Sequence, residues 1–256
     1  MASTIRLVTY NVHKCRGWDR RVSPERIARV LAPLDADCIA LQEVVDGTSI
    51  GRSNQAEEIR RGLGNGYRLV FGRTRDLRGA DYGNATLTRL PVHKSENYNI
   101  SWRRREPRGC LRTDLCLSGG RLLHVFNVHL GTSFFERRAQ GGLLLTDRML
   151  NHAGHTGPRV ILGDFNEWTR GLTSKLMAEQ FQKIHLQQYQ PTRGSFPGPI
   201  PVLELDHIYY DAALELVHFE MVRSRLALLA SDHLPLVVEF RVGKKQSQRP
   251  ASGSRE

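Results

Sequence analysis

Four short apolar runs end on side chains that can hold a cation or move a proton. Ile5 to Tyr10 leads to Asn11 and His13, and Ile39-Ala40-Leu41 to Gln42-Glu43. Leu122 to Val128 leads to His129, and Val160-Ile161-Leu162 to Gly163-Asp164-Phe165-Asn166. Two more polar pairs flank apolar segments: Asp206-His207 before Ile208-Tyr209-Tyr210, and Asp232-His233 before Leu234 to Phe240. If these ends share one rim, they gather the carboxylates Glu43, Asp164, Asp206 and Asp232, the amides Asn11 and Asn166, and the imidazoles His129 and His233. Carboxylate and amide oxygens suit Mg²⁺, with Mn²⁺ as its substitute, because a hard cation keeps several waters and needs only one or two carboxylates. Zinc would call for His or Cys clusters, which the chain lacks. A cation offsets charge on phosphoryl oxygens, a carboxylate directs water and an imidazole supplies hydrogen bonds or a proton, so the set is equipped for phosphoester hydrolysis. Taken singly, each residue has a plainer role: Asn11 and Asn166 as turn formers, Glu43 and Asp232 as solvated loop carboxylates, Asp206 as partner of an arginine. His207 keeps only such a role.

The elements that must carry these groups are mostly strands. β-rich runs recur at Ile5 to Val12, Cys38 to Gln42, Tyr67 to Phe71, Ala85 to Thr88, Leu111 to Leu117, Leu122 to Val128, Arg159 to Leu162, His207 to Tyr210 and Leu236 to Val242. Ser23-Pro24 supplies an N-cap and first helical residue for Ser23 to Leu31, and helices are also expected over Ser53 to Leu63 and Phe134 to Asn151. The last of these should bury Phe135, Leu143 and Met149-Leu150 and leave Arg137 and Arg138 on the surface. Many strands with few intervening helices point to an α/β sandwich, two sheets covered by helices. One domain is expected over 1–242, followed by a disordered basic C-terminal tail over 243–256.

Of the 256 residues, 40% are hydrophobic and 25% charged, which excludes a disordered, fibrous or disulfide-scaffold protein. Lys plus Arg is 37 against 26 for Asp plus Glu, a net charge of +11, which favours polyanionic partners. Arginine dominates the cations and matches phosphate bidentately, although a GC-rich genome produces the same bias. Cys15, Cys38, Cys110 and Cys116 form no CxxC pair and read as plain thiols. No run approaches the length of a membrane-spanning helix, no secretion signal is evident, and a cytoplasmic location and a monomer are expected.

At these positions the chain resembles the endonuclease/exonuclease/phosphatase superfamily, which includes deoxyribonuclease I. The matches run in order: Tyr10-Asn11-Val12, Leu41-Gln42-Glu43-Val44, Gly83-Asn84-Ala85 leading to Arg89-Leu90-Pro91, Asn127-Val128-His129-Leu130, Gly163-Asp164-Phe165-Asn166, Leu205-Asp206-His207-Ile208 and Ser231-Asp232-His233-Leu234-Pro235. Each alone is a weak signal; seven in register are a strong one. The resemblance implies a four-layer α/β sandwich and Mg²⁺-dependent attack of water on phosphorus. It implies Glu43 as principal metal ligand, with Asn11 beside it and Asp232 contributing directly or through water. Asp164 would orient or deprotonate the water, Asn166 would position water and phosphate, and Asp206 would fix His233, whose imidazolium stabilises phosphoryl charge. His129 would contact phosphate or assist the leaving group.

The substrate is less determined. Trp102-Arg103-Arg104-Arg105-Glu106-Pro107-Arg108 combines an aromatic with four arginines, and Arg108 is the expected phosphate contact, with Asn84 a second substrate-binding candidate. Abasic-site endonucleases carry an aspartate where this chain has His13 and are longer, and the inositol 5-phosphatase signature is missing. The Asn11-Val12-His13-Lys14 opening is similar to that of compact bacterial members. Nucleic acid is therefore the first expected substrate; a phospholipid or small phosphoester at an anionic membrane surface is the alternative.

Overall fold

The computed structural model describes residues 3–47, 54–168, 171–189, 194–198 and 200–243. In chain order its elements are β1 (Ser3–Asn11), α1 (Pro24–Leu31), β2 (Cys38–Asp46), α2 (Gln55–Leu63), β3 (Arg68–Leu77), β4 (Ala80–Thr88), β5 (Val92–Asn99) and β6 (Gly109–Cys116). There follow β7 (Leu122–His129), α3 (Phe134–Leu144), β8 (Arg159–Asp164), α4 (Leu172–Ala178), β9 (Gln182–Lys183), β10 (Asp206–Tyr210), β11 (Leu214–Met221), α5 (Arg225–Ala230) and β12 (Leu236–Val242). The strands form two six-stranded sheets, ordered β11-β12-β1-β2-β4-β3 and β5-β6-β7-β8-β10-β9. In each sheet one pair is parallel, β1 with β2 and β7 with β8, and both pairs lie at the sheet centre.

Alternation along the strands explains the layering. On β7, Leu123 and Val125 face the other sheet and join a core shared with Leu7, Val8 and Leu41, whereas Phe126 and Val128 face outward and pack with Leu144, Met149 and Met177. Helices α1, α2 and α5 contribute Ile27, Leu31, Ile59 and Ala227 to the core on the first sheet's side, and α3 and α4 cover the second. The result is a four-layer α/β sandwich.

Near the middle of the sandwich a polar contact joins the two sheets. Gln42 Nε2 donates to Asn127 Oδ1 at 2.8 Å and Thr9 Oγ1 at 3.1 Å, and Asn127 Nδ2 donates to the carbonyls of Leu41 and Ala85 at 3.1 and 3.0 Å. All three side chains are fully buried, so each bond made inside the protein relieves a desolvation cost of about 1–3 kcal/mol. These bonds fix one sheet against the other directly beneath the strand ends that carry the polar groups.

The capping signals at α1 are realised, since Ser23 Oγ accepts from Arg26 N at 3.1 Å and Pro24 opens the helix. The second helix is capped by Asn54, its observed start is Gln55, and the expected start at Ser53 lies outside the described residues. The expected helix over Phe134 to Asn151 stops at Leu144, where the chain tightens into turns. Met149 and Leu150, in the turns beyond it, are buried as expected, but the helix's own buried face is not the expected one. Phe135 is 65% and Leu143 41% exposed, whereas Glu136, Arg137 and Gln140 are buried, because polar groups facing inward satisfy the β7–α3 loop: Gln140 Oε1 accepts from Gly131 N, and Arg137 donates to Thr132 O at 2.6 Å. Arg137 is thus corrected from a surface charge to a buried donor, while Arg138 is exposed. Strands β5 and β11 went unexpected because their outer positions are largely polar, and the tail from Lys244 lies outside the described residues. No helix among the described residues is long and apolar enough to cross a membrane.

Candidate active site

Strand polarity brings the candidate groups to one end. β1 and β2 run parallel, β1 finishing at Asn11 and their pairing ending at Gln42, one residue before Glu43; β7 and β8 run parallel and finish at His129 and Asp164, and antiparallel β10 begins with Asp206 opposite Asp164. Two backbone devices aim the side chains. In β2 the pairing with β4 slips between Leu41 and Val44, and Glu43 takes a left-handed φ of 59° there, as expected of a bulge that redirects one residue. In β8, Gly163 has φ 141° and a Cβ there would stand 1.9 Å from the Val128 carbonyl oxygen, so only glycine lets β8 approach β7 just before Asp164.

Asn11 links the two sheets at this end, donating from Nδ2 to Asp164 Oδ2 at 2.9 Å and to Glu43 Oε1 at 3.3 Å while Oδ1 accepts from His13 N at 3.0 Å. Glu43 Oε2 is paired with the Lys14 ammonium. Burial opposes ionisation of Glu43, but the surrounding cationic groups, with Lys14 in direct contact, outweigh it and hold the carboxyl well below the usual carboxylate range.

Asp164 lies at the centre. Its Oδ1 accepts from Asn166 N at 2.8 Å, and its Oδ2 stands 3.6 Å from His129 Nε2 and 3.7 Å from His233 Nε2. Burial and the nearby Asp206 charge raise its carboxyl above the ordinary range, against the pull of His233. Behind it, Asp206 Oδ2 holds His233 Nδ1 at 2.8 Å and accepts from Ser195 Oγ at 2.5 Å. Burial alone would lower the His233 imidazole; Asp206 and Asp164 overcome it and raise the group to about 10, so the ring is an imidazolium at neutral pH. The opposite holds for His129, which burial and the Arg108 cation drive well below 6.5. Arg108 Nη1 lies 3.0 Å from His129 Nε2, and an arginine only donates, so the neutral ring accepts from it. One histidine is therefore charged and the other neutral, both with Nε2 near the same oxygen of one carboxylate.

The structure brings Asn11, Glu43, His129, Asp164, Asn166, Asp206 and His233 together and places Arg108 in the same cluster. Asn166, with a left-handed φ of 49°, donates to Leu130 O at 2.9 Å. Asp232 stands on the outer side, 3.5 Å from His13 Nδ1. Asn84 is buried and its amide is engaged with the carbonyls of Gly109 and Asn127, both at 3.1 Å, so it ties β4 to the second sheet. His207 packs its ring between Phe165 and Tyr209, 3.1 Å from Glu204, away from this cluster. Sequence reasoning missed Lys14 and Ser195. Lys14 had a signal, its place three residues after Asn11; Ser195 had none, because its partner Asp206 is eleven residues away across a loop.

No group of three His, Cys, Asp or Glu side chains able to hold a metal occurs among the described residues. What is present is one ionised carboxylate, Glu43, beside an amide and with Asp232 at the rim. That fits a cation that retains most of its water and does not fit a zinc cage.

The comparisons agree with this geometry. Residues 8–233 match the model of the Endonuclease/Exonuclease/phosphatase family. YbhP of Escherichia coli strain K12, an uncharacterized protein, is 26% identical over 248 residues, covering 93% of this chain and 96% of its own. An endonuclease/exonuclease/phosphatase from Beutenbergia cavernae superposes with a TM-score of 0.79 at 23% identity, over 94% of this chain and 72% of that one. A mannosyl-6-phosphatase of Bacteroides thetaiotaomicron superposes with a TM-score of 0.75 at 19% identity, over 92% and 99%. The family match spans β1 to His233, and so contains every residue of the cluster around Asp164. With its two sheets, its strand-end carboxylates and that match, the chain belongs to the endonuclease/exonuclease/phosphatase family and is a hydrolase of phosphoester bonds.

Proposed function

We propose that this protein is a Mg²⁺-dependent phosphodiesterase that directs water onto phosphorus at the cluster centred on Asp164. The observation that supports it is the placement of one carboxylate, raised toward neutrality, between a charged and a neutral imidazole. Glu43 and Asn11, with Asp232, would hold Mg²⁺ or Mn²⁺, which when bound neutralises charge on the phosphoryl oxygens. Asp164 accepts the proton of the attacking water, and the bonds from Asn11 and Asn166 fix its orientation. His233, kept protonated by Asp206, donates to the phosphoryl oxygen on which charge grows. His129, with Arg108 against it, faces the phosphate from the other side.

The net charge of +11 supports a polyanion, and nucleic acid is the substrate class that charge alone favours. A phospholipid phosphodiester is the second reading, supported by the apolar side chains exposed around the mouth of the site. The test is hydrolysis of a chromogenic phosphodiester and phosphomonoester, single- and double-stranded DNA, RNA and anionic phospholipids with Mg²⁺, Mn²⁺ or EDTA. Turnover that survives EDTA would overturn the metal-dependent reading, and turnover of phosphomonoesters alone would overturn the phosphodiester one.

A further inference from the structure

Many of the large apolar side chains exposed among the described residues stand on loops, or on the first turn of α3, at the end of the sandwich where Asp164 lies. Trp18, 50% exposed, lines a cleft of about 330 Å³ together with His13 and Asp232. Phe134 and Phe135, 47% and 65% exposed, follow the end of β7, and Trp168, 59% exposed, follows the end of β8. Ile200 and Val202, 71% and 60% exposed, stand on the loop entering β10, and this loop is tied to the site where Gly198 N donates to Asp232 O at 2.7 Å. Clustering of this kind on a folded surface marks an interaction site, because scattered apolar residues would show no preference for one end.

The tips are held out by the fold. The Trp18 loop is closed by the Arg16–Val22 bridge and by Asp19 gripping Arg26 at 2.8 and 3.1 Å, and a Cβ on Gly17 would meet the Leu229 carbonyl oxygen at 2.4 Å. A loop so fixed loses little entropy when its tip is buried in a partner. Cations stand among the tips: Arg16 and Arg20 line the Trp18 cleft, and Arg104 and Arg105 are exposed on the β5–β6 loop. The tip chemistry discriminates between partners. Bases of a single strand stack on flat faces, but Ile200 and Val202 are aliphatic and Phe134 and Phe135 meet edge to face at 5.6 Å and 81°. Aromatic and aliphatic tips interspersed with arginines match the headgroup boundary of an anionic bilayer.

We propose that this end of the molecule docks on an anionic phospholipid surface. The apolar tips enter the interface, the arginines pair with lipid phosphates and the mouth of the site faces the headgroups. The inference rests on that mouth being the entrance for a phosphodiester.

The experiment is co-sedimentation of the full chain, in EDTA, with phosphatidylcholine vesicles with or without roughly a third phosphatidylglycerol. Binding is expected only to the anionic vesicles, weakened at least about tenfold in the Phe135→Ser, Ile200→Ser double variant. It is expected to be unchanged in Leu143→Ser, an exposed apolar position at the opposite end of α3. The double variant should keep its kcat/KM on a soluble phosphodiester, which shows that it is folded. Equal vesicle binding by wild type and double variant, or binding lost only on deleting residues 244–256, would overturn the proposal. So would a lack of vesicle binding together with single-stranded DNA binding that the double variant loses, which would assign the tips to nucleic acid. Vesicle binding as expected without hydrolysis of any phosphodiester would uphold docking and sink the phosphodiesterase reading alone.

Discussion

Asp164 is poised by its neighbours, and no other carboxylate has a place in the proposed step that takes the proton of the attacking water. Asp164→Asn should lower kcat on a chromogenic phosphodiester about 10³-fold with little change in KM, and an activity near wild type would remove Asp164 from the mechanism. The pH profile follows from the same neighbours. Activity should rise as Asp164 loses its proton, above the usual carboxylate range, and fall as His233 loses its own near about 10. Asp206→Asn removes the charge that keeps His233 protonated, so the alkaline limb of kcat/KM should move to lower pH. For stability the sign is that of a raised imidazole. The contribution of the His233–Asp206 pair is fully present below pH about 6.5 and is lost as pH rises through about 10.

Two elements owe their position to single residues that touch no substrate. Gly163→Ala would drive a methyl group into the Val128 carbonyl and push β8 away from β7, carrying Asp164 with it. Urea unfolding should show a loss of about 3 kcal/mol or more, accompanied by loss of activity; a variant as stable and active as wild type would contradict the close approach. Asn127→Ala removes the donor to the Leu41 and Ala85 carbonyls and the acceptor for Gln42, at a cost of about 2–4 kcal/mol. The same change should loosen the register between sheets, so its activity loss should be the larger effect at low denaturant. Helix α3 shows what element-scale periodicity cannot convey: its inward face carries Glu136, Arg137 and Gln140 because the adjoining loop needs their hydrogen bonds more than the core needs apolar area.

Over the whole molecule, charge is distributed between a site, a basic exterior and a few buried ion pairs. Arg112, Asp114 and His124 form such a cluster beneath a surface cavity of about 650 Å³, with Asp114 bonded to Arg112 at 2.8 Å and His124 at 2.6 Å. Burial alone would raise the Asp114 carboxyl, but its bonds to His124 and Arg112 lower it to about 2. The stability this supplies, about 2 kcal/mol, is present above pH about 3.8 and lost as pH falls toward 2. Asp114→Asn should cost about 3 kcal/mol or more at pH 7, because Arg112 would be left buried without its counter-charge, and chemical denaturation that shows no loss would refute the pairing.

The order of chemistry-bearing residues along the chain determined the family, the sandwich and most of the cluster, since apolar strand-forming runs stop at or beside Asn11, Glu43, His129, Asp164 and Asp206 and so put them at or near one end of the sheets. The cap at Ser23 was legible because local backbone geometry restricts residue type there. Tertiary structure alone decided the rest. Charge states depend on distances across the two sheets, so the imidazolium at His233 was implied only through the resemblance, and nothing in the sequence indicated that His129 is neutral. The pairing of Lys14 with Glu43 and of Ser195 with Asp206, the structural use of the Asn84 amide, and the inward turn of Arg137 each join segments whose proximity arises only when the sheets meet. The gathering of Trp18, Phe135, Trp168 and Ile200 at one end has the same origin, because segments remote in sequence become neighbours only through the strand order.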